Sequence, residues 1–152
     1  LEIGADGPVC RLSKTTMMEG IGAQLTPLPG LGCLSAVLAN PGIQISTAAI
    51  FKAFDTKTRS KQPASTAREG TLLDRTLSGR NDLEAIAIDQ APVIADVIQA
   101  MSDQPGCEVS RMSGSGASVF GLFDHHEAAQ SAAAALSARG WWAVATRLGD
   151  PS

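Results

Sequence analysis

The sequence predicts an α+β fold in which helices pack on an antiparallel sheet. Short extended runs near the start end at glycine or proline, as antiparallel strands do. Further on, Ile94, Val97, Ile98 and Met101 follow one another at the spacing of an amphipathic helix. The final third reads strand, turn, strand, helix, strand. Among α+β architectures this order favours the ferredoxin-like plait, with its helices on one face of the sheet.

Turn-forming glycine, proline and polar residues separate the predicted elements in the first half of the chain. A nearly continuous apolar run indicates one well-buried strand, which the turn Asn40-Pro41-Gly42 closes. Ser46 is expected to cap the first helix. The predicted elements are strands at Pro8–Leu12, Thr15–Glu19, Gln24–Thr26 and Cys33–Leu38, a helix from Ser46 to about Phe54, and a polar loop at Asp55–Glu69.

The second half alternates helical and extended patterns. Pro92 interrupts a helical stretch and suits the first turn of the helix that follows. The Gly-rich segment Ser113–Gly116 is expected to be a turn, and Gly140 to end the last helix. The predicted elements are helices at Thr71–Leu77, from Leu83 to Pro92, from Pro92 to Met101 and at Glu127–Ala138, and strands at Cys107–Met112, Ala117–Phe123 and Trp141–Arg147.

Composition excludes several classes of function. With 152 residues, 44% of them hydrophobic and 18% charged, the chain is expected to form one globular domain. The net charge is -3 and the basic residues are scattered, so no nucleic-acid surface is predicted. We therefore expect a small-molecule site, with neither nucleic acid nor membrane as partner.

Cysteine usage and the apolar runs bear on the compartment. Cys10, Cys33 and Cys107 lie far apart in apolar surroundings, which predicts buried thiols rather than a disulfide or zinc framework. His125 and His126 are adjacent and have no partners at metal spacing, so no metal site is predicted. No apolar run reaches the length of a membrane span and no secretory signal is present. The expected location is the cytoplasm.

Four motifs carry the functional prediction. They are Gly4-Ala5-Asp6-Gly7-Pro8, Asn40-Pro41-Gly42 with Thr47 and Phe51 beyond it, Asn81-Asp82-Leu83-Glu84, and Ser113-Gly114-Ser115-Gly116-Ala117-Ser118. In this order and spacing they resemble the carboxy-terminal half of the galactokinase, homoserine kinase, mevalonate kinase and phosphomevalonate kinase (GHMP) superfamily. The first and third motifs are similar to those of the 4-diphosphocytidyl-2-C-methyl-D-erythritol kinases. The resemblance covers nearly the whole chain.

The resemblance implies an activity and a division of labour. Kinases of this family transfer the γ-phosphoryl group of ATP, with Mg²⁺, to the 2-hydroxyl of the cytidine substrate for isoprenoid biosynthesis. In this family the Gly-Ser loop that binds the ATP phosphates, and the lysine that would partner the aspartate, belong to an amino-terminal domain. Neither of these two patterns is found in this sequence. The chain opens at Leu1 without methionine, so we expect residues 1–7 to be the remnant of an interdomain segment and 8–150 to be the carboxy-terminal domain.

Each motif also has a simpler interpretation. Asp6 matches the family's proton acceptor, but an aspartate between glycines and a proline also suits a turn. Gly114, Ser115 and Gly116 match the motif that lies against the phosphate loop, although a Gly-Ser turn is common between strands. Residues 81–82 are also explained as a helix cap.

Thr47 and Phe51 lie one helical turn apart and are predicted to contact the cytidine substrate. A first-turn threonine and a core phenylalanine explain the pair equally well. Two other functions remain open for the chain. One is that of another GHMP-type kinase, although the motif at residues 81–84 favours the cytidine kinases instead. The other is that of a ligand-binding plait without catalysis, because this fold hosts many functions.

Overall fold

The computed structural model describes residues 7–19, 24–28, 32–57 and 70–149. Within these ranges the helices are α1 (Gly7–Leu12), α2 (Thr47–Lys57), α3 (Leu72–Ser78), α4 (Glu84–Gln90), α5 (Val93–Ser102) and α6 (His126–Ser137). The strands are β1 (Thr16–Glu19), β2 (Gln24–Pro27), β3 (Cys33–Asn40), β4 (Cys107–Met112), β5 (Val119–Phe123) and β6 (Trp142–Gly149). Most predicted elements are therefore present within a few residues of their expected bounds.

Two segments differ from the prediction. Pro8–Leu12 was expected to be a strand, and residues 7–12 form the helix α1 instead. The fixed φ of proline suits the first turn of a helix as well as a strand, so a six-residue run does not distinguish them. Residues 55–57, predicted as loop, continue α2, and the rest of that predicted loop lies outside the described residues.

The described residues divide into two compact units. One contains those up to Cys33 together with Leu148 and Gly149, and the other is Leu34–Arg147. In the first unit β1 and β2 form an antiparallel hairpin, with Glu19 opposite Gln24. The expected boundary between residues 1–7 and 8–150 stays a prediction.

The larger unit is built on a four-stranded sheet in the order β4-β5-β3-β6. β5 pairs antiparallel with both β3 and β4. Helices α2 to α5 connect β3 to β4, and α6 connects β5 to β6. The four strands thus follow the βαββαβ order of the ferredoxin-like plait, which confirms the predicted α+β class.

One face of this sheet forms the core with the helices. Alternate strand residues point to opposite faces, and on β3 and β5 the odd-numbered positions face the helices. These strand residues pack against buried side chains of four helices, so those four helices lie on the same side of the sheet. The core residues include Val37, Ala39, Val119 and Phe123 from the strands and Ile50, Ile86, Ile94, Val97, Met101 and Leu136 from the helices.

Gly121 lets α5 approach the sheet closely. A Cβ atom at this position would lie 2.7 Å from Sδ of Met101, which is completely buried. Because such a contact is far inside van der Waals distance, any side chain here would force the Met101 side chain to shift within the core.

The three cysteines are free thiols, but their predicted burial is wrong for two of them. Cys10 and Cys33 are exposed, since one lies on the short α1 and the other begins β3 before the core is reached. Cys107 is partly buried, and burial raises the pKa of its thiol. The thiol also donates a hydrogen bond to the Val109 carbonyl at 3.4 Å.

Candidate functional site

The Gly-rich turn lies at the end of the sheet where β4 passes into β5. Its backbone closes through hydrogen bonds from Ser113 N to Ser118 O at 2.8 Å and from Gly116 N to Ser113 O at 3.1 Å. β3 ends beside it because Ala39 pairs with Val119, the first residue of β5. Consequently the amide of Asn40 donates to Ser118 Oγ at 3.0 Å. The second and fourth sequence motifs therefore meet here.

Helix α2 begins at this same end of the sheet. Ser46 Oγ accepts a hydrogen bond from Ala49 N at 3.3 Å, which confirms the predicted cap. The helix is anchored by Ile50, which is completely buried. Thr47, in its first turn, places Oγ1 2.9 Å from Ser115 Oγ. Two predicted binding residues, 68 positions apart in sequence, are thus in hydrogen-bond contact.

Phe51 follows Thr47 by one turn and so occupies the same helix face. Its side chain is 50% exposed, which removes the interpretation of Phe51 as a core residue. A large apolar ring with half its surface open is available to stack against a flat ligand. That binding role stays a prediction.

Asn81 and Glu84 hydrogen-bond to the backbone where β4 passes into the turn. The Asn81 amide donates to Met112 O at 2.9 Å and to Gly114 O at 2.8 Å. Glu84 Oε2 accepts from Met112 N at 2.8 Å. The capping interpretation of residues 81–82 is wrong, because the N-cap of α4 is Leu83 and no side chain caps this helix; Asn81 Oδ1 accepts instead from Leu83 N at 3.0 Å, ahead of the helix. No local pattern in the sequence indicated the contacts to the turn.

The hydrogen-bonding groups around the turn are mostly uncharged hydroxyls and amides. Such groups keep their polarity across the physiological pH range, and glycines leave backbone N–H groups accessible. A Cβ at Gly114 would meet no atom within 4 Å, so the turn is open on that side. The arrangement can therefore donate hydrogen bonds to an anion such as a phosphate.

Gly116 has a backbone conformation that other residues rarely adopt, and it lies against a buried side chain. Its φ is +91°, and a Cβ would lie 2.8 Å from Sδ of Met112, a completely packed residue. Gly42 has a similar φ of +79° but open space around it.

Gly116→Ala is expected to lower the free energy of unfolding more than Gly42→Ala does. Both changes strain the backbone, and only the first adds an overpacked contact, which costs about 1–3 kcal/mol. Urea unfolding of the two variants measures the difference. Equal destabilisation would contradict the contribution of the Met112 contact.

Asp6, with Gly4 and Ala5, lies outside the described residues. Its predicted role as proton acceptor therefore stays a prediction.

Two kinds of feature are absent from the part of the chain that the structure describes. It contains no group of three or more histidine, cysteine or carboxylate side chains that could hold a metal ion. None of its helices combines the length and apolarity needed to cross a bilayer.

Comparison with known proteins shows which fold the described elements form. Residues 69–140 match the family described as GHMP kinases C terminal. The chain also superposes on a crystal structure of 4-(cytidine 5'-diphospho)-2C-methyl-D-erythritol kinase with a TM-score of 0.83 and 29% identity, covering 98% of this chain and 55% of that one. The chain therefore has the GHMP kinase C-terminal fold. The resemblance predicted from the four motifs is confirmed.

Two further comparisons bear on the GHMP kinase C-terminal fold of this chain. The 4-diphosphocytidyl-2-C-methyl-D-erythritol kinase of Dinoroseobacter shibae is 46% identical over 151 residues, covering 96% of this chain and 53% of the relative. The chain spans about half the length of the curated relatives it matches. Homoserine kinase from Cytophaga hutchinsonii has a TM-score of 0.56 at 21% identity, covering 82% of this chain and 44% of that one, and shares the fold alone.

Proposed function

We propose that this chain is the carboxy-terminal part of an ATP-dependent kinase acting on 4-diphosphocytidyl-2-C-methyl-D-erythritol. The observation that carries the proposal is the contact of Thr47 with Ser115, which joins α2 to the Gly-rich turn on a GHMP kinase C-terminal fold. Relatives 46% and 41% identical to the chain bear the name of this kinase. The product would be the 2-phosphate, a precursor of isoprenoids.

The residues take separate roles in this proposal. Phe51 stacks on the cytosine ring, and Thr47 contacts the same substrate. Gly114, Ser115 and Gly116 support the phosphates through the turn. Asp6 accepts the proton of the 2-hydroxyl, whose oxygen bonds to the γ-phosphorus of ATP while the bond from that phosphorus to the β–γ bridging oxygen breaks and ADP leaves.

Phosphoryl transfer needs little covalent chemistry from the protein, because most of the rate comes from holding donor and acceptor in line and balancing charge. Mg²⁺ bound with ATP supplies part of that charge. The described residues of this chain offer no cluster for such an ion, and we assign the binding of ATP and Mg²⁺ mainly to an amino-terminal domain of the full-length kinase. That domain is then the chain's own partner.

Two other functions are less well supported. A homoserine-type kinase agrees with the shared fold, but that similarity is limited to 21% identity. A ligand-binding plait without catalysis agrees with the fold as well. The cytidine kinases named above are more similar in sequence over nearly the whole chain, which favours the first proposal.

Turnover by the full-length kinase and by this 152-residue chain tests the proposal. With ATP, magnesium and the cytidine substrate, we expect the full-length protein to release ADP and the chain alone to show no release above a no-enzyme blank. The physical reason is the Gly-Ser phosphate loop, which the chain's sequence lacks. Homoserine replacing the cytidine substrate serves as the specificity control.

Steady ADP release by the chain alone would contradict the assignment of ATP binding to another domain. Full-length protein that phosphorylates homoserine instead, or neither alcohol, would exclude the proposed substrate.

A further inference from the structure

The α3–α4 junction reaches the Gly-rich turn through two side chains, Asn81 and Glu84, which we call the clasp. Asn81 uses its whole amide group, because Nδ2 donates to Met112 O and Gly114 O while Oδ1 accepts from Leu83 N. Glu84 accepts from Met112 N. The clasp therefore holds both backbone polar groups of Met112 and the carbonyl of Gly114.

Holding the Gly114 carbonyl sets the direction of the next amide. In a trans peptide the C=O and the following N–H point in opposite directions across one plane. Since Gly114 O faces Asn81 at 2.8 Å, the N–H of Ser115 points away from the clasp. Among the described residues no backbone carbonyl accepts a hydrogen bond from this N–H.

The side chain of Ser115 is constrained at the same time. Its Oγ lies 2.9 Å from Thr47 Oγ1, at the start of α2. Ser115 thus presents its backbone N–H, and together with Thr47 a pair of hydroxyls, next to Gly114, where the turn is open. Backbone N–H groups and hydroxyls arranged in this way are suited to bind phosphate oxygens.

We propose that Asn81 and Glu84 are positioning residues that aim the Ser115 amide at a phosphate oxygen of the bound substrates. The inference rests on the proposed function, in which ATP and the cytidine diphosphate substrate both carry such oxygens. Misplacement of a binding group by about 1 Å can cost about 100-fold in rate. The clasp accordingly acts on binding and turnover without touching substrate.

Asn81→Asp in the full-length kinase is the decisive variant, since it keeps the size of the side chain but removes both N–H donors. We expect the KM for ATP or for the cytidine substrate to rise about 10- to 100-fold, and the affected substrate identifies the phosphate that is bound. Asp82→Asn is the matched control. Asp82 is exposed and pairs with Arg80 at 2.6 Å, so both kinetic constants should stay within about twofold.

Glu84 provides a second pair of variants in case Asn81→Asp does not fold. Glu84→Gln retains an oxygen that can accept from Met112 N and should rescue activity, whereas Glu84→Met should not. Hydrogen exchange of the peptide covering residues 113–118 should be faster in Asn81→Asp and Glu84→Met than in the control variants Asp82→Asn and Glu84→Gln. Thermal unfolding of each variant is measured alongside.

A lower Tm with unchanged KM and kcat per folded molecule would overturn the proposal and leave the clasp a purely structural role. If the wild type fails to phosphorylate the cytidine substrate, the proposed function fails, and calorimetry with ATP and with CDP then decides the inference. A tenfold or greater loss of affinity for either nucleotide in Asn81→Asp supports it. Equal affinities, or no binding by the wild type, overturn it.

Discussion

Asp6→Asn in the full-length kinase is expected to lower kcat by about 10²- to 10⁴-fold, the usual cost of removing a general base. The asparagine keeps the shape of the side chain but cannot accept the proton of the substrate hydroxyl. KM for the cytidine substrate should change far less, because uniform binding does not depend on that proton transfer. Steady-state kinetics of ADP release separate the two constants.

Asp124→Asn is the control for Asp6→Asn, since Asp124 is a surface carboxylate paired with His125. Its kcat should equal that of the wild type. If Asp6→Asn keeps kcat within about threefold, Asp6 is not the base and the turn interpretation of the first motif is correct.

Phe51→Ala is expected to raise KM for the cytidine substrate by about 5- to 150-fold, which corresponds to the loss of about 1–3 kcal/mol of stacking on one base. The side chain is half exposed, so the folded state loses little when it is truncated. KM for ATP and kcat should remain within about threefold, because in our proposal the ring contacts only the cytosine.

Two control variants show whether an effect of Phe51→Ala comes from the loss of its aromatic ring. Phe51→Trp retains an aromatic face and should restore most of the affinity. Leu77→Ala removes another exposed apolar side chain, 46% accessible, and should leave every constant unchanged. A KM unaffected in Phe51→Ala would show that the ring does not bind the cytidine substrate.

Local signals were sufficient for most of the fold. The spacing of Ile94, Val97 and Met101 predicted the buried face of α5, and all three side chains are fully buried. Ser46 predicted the start of α2 correctly. The strand predicted at Pro8–Leu12 was wrong because a short run beginning with proline suits a helix as well as a strand. The exposure of Cys10 and Cys33 also escaped prediction, since apolar neighbours do not show where the core ends.

The candidate site was predicted as separate motifs, and its assembly was not. Thr47 and Phe51 were placed on one helix face from their spacing alone. The contact between Thr47 and Ser115 depends instead on α2 starting at the end of the sheet where the turn lies. For Asn81 the sequence offered only a local cap, whereas the side chain reaches two carbonyls more than 30 positions away.

The sequence by itself thus determined the α+β class, the order of the strands and helices after residue 12, and the motifs that resemble a GHMP kinase. Periodicity and capping are local properties, and they can be read over one or two turns of chain. Only the tertiary structure decided that Asn40, Thr47, Asn81 and Glu84 converge on residues 113–118. The physical reason is that strand register and helix packing, which join distant residues, arise from burying one shared core.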